Sequence, residues 1–213
     1  MRHKEAMKRI LTVADVEEGC RALADMHPRW AYAHETCGVP DIRERSDGFH
    51  ALLGAIVSQQ VSVAAARAIY ARLEAAGLTE VPAIVAATED ELRAHGLSRQ
   101  KARYAKALAA AEIDWPGLRV LPVEDVVRTL VAVPGIGVWT AEIYAMFSLR
   151  HADVFAPGDL ALQEGARMLF DLDERPKERA LRQWSEQWSP WRAVAARMLW
   201  DYYAHRKSRE GIA

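Results

Sequence analysis

The sequence is short of cysteine, of long apolar runs, of strand-like alternation and of any excess of basic charge. Cys20 and Cys37 are its only cysteines in 213 residues and form no C-x-x-C pair. Two thiols cannot supply a four-thiolate cluster, so no iron-sulfur centre is expected. The charged start MRHKEAMKRI is not followed by an apolar run long enough for export or membrane insertion. A soluble intracellular protein with no membrane partner is therefore expected, cytoplasmic and nucleoid-associated if the source is prokaryotic. Twenty-eight Lys and Arg against 29 Asp and Glu give a net charge of -1. That balance argues against a domain-wide basic footprint for nucleic acid, so any such contact must come from local charge. No Lys occurs between Lys106 and Lys177, which leaves that stretch without an amine nucleophile. Repeats, low-complexity tracts and flexible linkers are missing too.

What is present is apolar, Ala-rich and spaced for helices. Hydrophobic residues make up 51% of the chain, enough to bury a full core as one domain or two intimately packed lobes. The periodicity predicts an all-α protein. A helix is predicted from Asp15 to Met26, followed by a short segment with a core Trp30 and ended by Gly38 and Pro40. Ser46-Asp47 can cap a helix carrying Phe49, Leu52, Leu53, Ile56 and Val57. A break at Ser58 to Ser62 separates it from a helix over Val63 to Ala75. Thr88-x-x-Glu91 is a capping box, and Ser98 caps a basic helix through Ala110. Trp115-Pro116-Gly117 reads as a loop. Pro176 and Pro190 each open a later helix, the last running from Trp191 to His205. Trp184, Trp188, Trp191 and Trp200 crowd the end of the chain, mostly as core.

One stretch organises the rest, LVAVPGIGVWTAEIYAMFSLRHADVFAPGDLAL over Leu130 to Leu162. Helical spacing over Val123 to Val131 stops at Pro134-Gly135-Ile136-Gly137 and resumes over Val138 to Phe147, which describes two helices joined by a glycine hairpin. Gly135 and Gly137 allow a tight turn with exposed N–H groups just ahead of a helix N-terminus, a favourable place for a phosphate. Asp159 then opens another helix after Pro157-Gly158.

These residues resemble the helix-hairpin-helix (HhH-GPD) DNA glycosylase superfamily, and within it the alkylated-base, 3-methyladenine type branch. The resemblance rests on Pro134-Gly135-Ile136-Gly137 with Trp139-Thr140-Ala141, on Pro157-x-Asp159, and on Gln59-Gln60-Val61-Ser62. It also rests on Gly96-Leu97-Ser98 before Lys101-Ala102, and on Trp188-x-Pro190-Trp191-Arg192 leading to Leu199-Trp200. Together they span roughly residues 46 to 204, and several ordered motifs are far more specific than one glycine hairpin. Nothing in residues 1–45 resembles the extra sheet-bearing N-terminal domain of larger members of this branch, and none is expected there.

The resemblance implies a two-lobed helical glycosylase fold. Residues 1–45 would form a helical cover, 46–118 a central lobe, and 119–213 a hairpin-bearing lobe on which the N-terminal segment packs, with a cleft between the lobes. It implies hydrolysis of the N-glycosidic bond of alkylated bases in double-stranded DNA by base flipping, leaving an abasic site, from a monomer that requires no cofactor. Asp159 would be the catalytic carboxylate, stabilising an oxocarbenium-like sugar and activating water. An Asp before an apolar helix is also an ordinary N-cap, and both roles can hold. Trp139 and Trp200 would line the base pocket, where an indole face attracts a cationic purine by about 0.5 to 2 kcal/mol. Gln60 would enter the gap left by the extruded nucleotide, with Gln59 and Val61 beside it; relatives with a bulky apolar wedge differ here. Gly135 and Gly137 would hold phosphate with Thr140, and the carbonyls of Val131, Val133 and Ile136 a monovalent cation. Arg99, Arg103 and Lys106 share one helical face and would meet phosphate, although such a face is as readily a solvated one.

Relatives that also cut the DNA backbone carry a Lys in or near the second helix of the motif. Trp139 stands where one subgroup has it, which favours a monofunctional hydrolase. Ile143 replaces an aromatic and Gly158 another Asp found in some relatives. Two other functions fit parts of the pattern: a non-catalytic hairpin module that binds damaged DNA, and a glycosylase for mismatched or oxidised bases.

Overall fold

The computed structural model describes residues 7–43 and 45–209. It is all helical apart from one isolated antiparallel bridge between Arg9 and His151. The elements in order are α1 (Val13–Met26), α2 (Pro28–Cys37), α3 (Phe49–Ser58), α4 (Val63–Ala75), α5 (Val81–Ala86), α6 (Glu89–Ala94) and α7 (Arg99–Ala110). There follow α8 (Trp115–Leu118), α9 (Val123–Val131), α10 (Val138–Phe147), α11 (Leu160–Phe170), α12 (Glu178–Ser185), a 3-10 turn at Glu186–Trp188 and α13 (Arg192–Arg209).

The chain divides into two compact units, one of residues 1–44 with 145–213, the other of 45–144. In the first, Thr12 rather than Asp15 opens α1, because Asp15 serves as the third residue of a capping box with Thr12. Pro28 sits at the first position of α2, where its missing N–H costs nothing. Trp30 is fully buried, with Phe170 and Trp188 meeting it edge-on at 5.2 Å. The close helix contacts are made by glycines. A Cβ on Gly165 would lie 2.7 Å from the Leu199 carbonyl oxygen of α13, and one on Gly19 2.6 Å from Val194. The last helix runs past His205 to Arg209, with basic residues in its final turn to suit the helix dipole.

In the second unit, α3, α5 and α6 pack on α7 and α3 also packs on α4. Leu52, Leu53, Ile56 and Val57 of α3 are buried with Ile84, Leu92, Ala102 and Ala105. Three local expectations differ here. Helix α5 was not foreseen, since six residues are too few to show a period. Trp115-Pro116-Gly117 is a helical turn rather than a loop, because Asp114 caps it through the Gly117 N–H. Gly48, at φ 77°, precedes α3 in place of Ser46-Asp47. Asp47 is engaged elsewhere, by the Gly48 N–H, the Tyr144 hydroxyl and Arg119.

The unit boundary falls inside α10, between Tyr144 and Ala145. The reason is physical: the hairpin and the first turns of α10 are tied to the second unit. Gln59 binds the hairpin backbone, Tyr104 packs beneath Gly135, and Tyr144 closes on Asp47. Burial and the Asp47 carboxylate hold the Tyr144 phenol well above its ordinary range.

Candidate active site and nucleic-acid interface

Asp159 is delivered by a buried segment without regular secondary structure. Val154, Phe155 and Ala156 are almost wholly buried, and the Gln163 side chain donates to the Pro157 carbonyl oxygen at 2.8 Å. That amide, itself 6% exposed, locks the turn that carries Pro157-Gly158-Asp159. Asp159 caps α11: its Oδ1 accepts the N–H of Ala161 at 2.9 Å and of Leu162 at 3.1 Å. Oδ1 also accepts the Trp200 indole N–H at 3.2 Å. Three donors converge on Oδ1 and fix the direction of the carboxylate. Trp200, half-buried, is held in turn by Phe147, ring to ring at 5.8 Å, and Phe147 carries the buried Arg197 guanidinium 4.6 Å over its face. Burial pulls Arg197 down to about 10, and Nη1 donates to the Ala193 carbonyl oxygen.

The hairpin is built at the end of α9. The Val133 N–H returns to the Leu130 carbonyl oxygen and the Ile136 N–H to that of Val133, so the turn closes on itself. Gly135 has φ 94° and lies against the Tyr104 ring, where a Cβ has no room. Glycine is therefore dictated there by the fold. Gly137 differs: a Cβ would meet nothing within 4 Å, and its φ is not positive. Among the described residues the Gly135 and Gly137 N–H groups meet no acceptor, while the Gly137 carbonyl starts α10 by accepting the Ala141 N–H. A glycine without an internal reason, with an unused amide at a helix start, suits close approach by an oxyanion. Thr140 is half-buried one turn on.

The α3–α4 turn shares a pocket of about 560 Å³ with this hairpin, lined by Gln59, Gln60, Val61, Lys101, Tyr104 and Gly135 to Gly137 among others. Gln60 is exposed at φ 55°, a left-handed conformation rare outside glycine and asparagine. Gln59 donates from Nε2 to the Gly135 carbonyl oxygen at 2.9 Å. Trp139, on the first turn of α10, is 47% exposed, so its indole lies outside the core.

The basic helix does not present its cations alike. Lys106 does not present its ammonium to a phosphate: Nζ donates to the carbonyl oxygens of Ile84, Val85 and Ala87, capping α5. Arg103 pairs loosely with Glu89 at 3.4 Å, an exposed ion pair of little strength. Arg99 is exposed. Lys101, which the face omitted, is 8% exposed and donates to the Val57 carbonyl oxygen at 2.8 Å. Burial lowers its affinity for a proton. Gln163 and Lys101 were missed as positioning groups because each acts on a carbonyl that sequence does not reveal.

The model for the HhH-GPD superfamily of base excision DNA repair proteins matches residues 53–190. The DNA-3-methyladenine glycosylase 1 of Schizosaccharomyces pombe is 32% identical over 168 residues, 74% of this chain and 73% of that protein. The DNA-3-methyladenine glycosylase 2 of Escherichia coli is 30% identical over 168 residues, 72% of this chain but only 57% of that protein. Among solved structures, the DNA-3-methyladenine glycosidase of Bacillus halodurans superposes with a TM-score of 0.81 at 30% identity, covering 90% of this chain and 91% of its own. The chain belongs to the HhH-GPD superfamily of base excision DNA repair proteins.

Proposed function

We propose that the chain is a DNA glycosylase that hydrolyses the N-glycosidic bond of alkylated bases, chiefly 3-methyladenine-like purines, and leaves an abasic site without cutting the strand. The observation that carries this reading is the Asp159 carboxylate, held through Oδ1 by two helix amides and the Trp200 indole. Its support from relatives is that proteins similar over most of the chain bear 3-methyladenine glycosylase names, and one similar structure is of the S. pombe enzyme with abasic DNA.

The chemistry follows from charge. The C1′–N bond breaks with its electron pair leaving on the base, and positive charge develops on the sugar. A carboxylate fixed in advance beside the sugar stabilises that charge more than it stabilises the uncharged sugar of the ground state. Water then adds to C1′ and gives its proton to the carboxylate or the solvent. An alkylated purine already carries positive charge, so it leaves readily and is attracted to an electron-rich indole, the role assigned to Trp139 and Trp200. Extrusion from the duplex is required first, since no side chain reaches C1′ of a stacked nucleotide. Gln60 would fill the gap, while Gly135, Gly137, Thr140 and Arg99 hold the backbone. The carbonyls of Val131, Val133 and Ile136 would hold a monovalent cation against phosphate; that of Val133 already accepts the Ile136 N–H and keeps one lone pair for it.

The test is release of free base from duplex DNA treated with a methylating agent. Free 3-methyladenine with intact strands that break only after alkali is the expected result. Tight binding of that DNA with no base released would leave a damage-binding module, and strand scission without alkali would contradict the monofunctional assignment.

A further inference from the structure

We infer that Gln59 is a positioning residue that couples the hairpin to the Gln60 turn, so that the phosphate grip and the inserting side chain act as one rigid piece. This rests on the functional reading above, in which Gln60 fills the gap. Gln59 Nε2 donates to the Gly135 carbonyl oxygen at 2.9 Å across 76 residues of sequence. The peptide it holds joins Gly135 to Ile136, whose N–H is itself bound to the Val133 carbonyl oxygen at 3.1 Å. One peptide unit of the hairpin is therefore pinned at both ends, once by its own turn and once by the wedge turn. Beneath it the Tyr104 ring leaves no room for Gly135 to shift inward.

The other side of the wedge turn is anchored as well. Lys101 Nζ donates to the Val57 carbonyl oxygen at 2.8 Å, in the last turn of α3 and two residues before Gln59. Between these anchors and the Ser62 cap of α4, Gln60 is kept at φ 55°. A non-glycine residue persists there only when its surroundings over-determine the backbone. The phosphate amides of Gly135 and Gly137 and the inserting side chain thus sit at a fixed offset, set before DNA arrives. Such preorganisation lowers the cost of extruding a paired nucleotide and does nothing for one already unpaired.

The test compares Gln59→Met, which keeps length and volume without a donor, and Gln59→Ala with the wild type in single-turnover base release. Two duplexes each carry one 7-methylguanine, either paired with cytosine or facing an abasic analogue. The expected result is a loss on the paired duplex that exceeds the loss on the unpaired one by about tenfold, the factor carried by one hydrogen bond of ordinary net strength. Equal losses on both duplexes, or none on either, would overturn the inference. A duplex with 2-aminopurine beside a tetrahydrofuran abasic analogue reports unstacking with no bond broken, and both variants should give a smaller fluorescence rise at saturation. Failure of wild type to release any alkylated base would refute the proposed function, while the 2-aminopurine signal would still judge Gln59.

Discussion

Trp200 donates its indole N–H to Asp159 Oδ1 at 3.2 Å. The expected base-pocket residue is therefore also a hydrogen-bond donor to the proposed catalytic carboxylate. Trp200→Phe keeps an aromatic ring of similar placement and removes the donor. Single-turnover base release should fall by roughly tenfold, within the range for a hydrogen bond to a charged group. A melting temperature close to wild type alongside that loss would separate this role from packing; an unchanged rate would show that the two helix amides suffice.

The two hairpin glycines make opposite statements. Gly135→Ala forces a side chain into the left-handed region and onto Tyr104, costing about 2 kcal/mol or more of stability. Gly137→Ala meets open space and should leave thermal stability unchanged or slightly raised. Its DNA affinity should nonetheless drop, because the added methyl stands where an oxyanion would approach. Calorimetry and binding to an abasic-analogue duplex check both, and undiminished binding by Gly137→Ala would remove phosphate from that position.

Lys106 and Arg99 separate in the same way. Lys106→Ala uncaps α5 and should lower stability by about 1 to 2 kcal/mol, with the salt dependence of DNA binding unaltered. Arg99→Ala should keep stability and reduce the salt slope by about 1. Titrations at several salt concentrations decide between them.

Cys20 is fully buried, and burial pushes its thiol up to about 12 from an ordinary value near 9.0. The folded thiol stays neutral while the unfolded one ionises, so its contribution to stability is complete below about pH 9 and is lost as pH rises toward 12. Cys37, half-buried, is raised less strongly by burial. A thiol reagent at pH 8 should modify Cys37 first and Cys20 only on unfolding; equal rates would contradict the burial.

Caps and glycines were legible in the sequence because they are local. Thr88 with Glu91, and Ser98, act within three residues of themselves, and each caps the helix that follows it. The cap at Asp159 was legible for the same reason. Lys106 misled because the helix face shows its position but not the α5 carbonyls it meets, some 20 residues earlier. The unit boundary inside α10 was not legible because long-range ties decide it: Gln59 to Gly135 and Asp47 to Tyr144 draw the hairpin into the unit of residues 45–144. Composition spoke weakly about function, since a net charge of -1 says nothing of two amides at the start of α10.

The central claim is that Asp159 acts on the reacting sugar and does not serve only as the cap of α11. Asn caps a helix about as well as Asp and carries no charge. The most direct measurement is the single-turnover rate of 3-methyladenine release from methylated duplex DNA by Asp159→Asn, at a melting temperature shown to match wild type. The account predicts a fall of roughly 10²-fold or more, as for other preorganised electrostatic groups, with binding to abasic-analogue DNA retained. Release at the wild-type rate would contradict it and leave Asp159 as a helix cap alone.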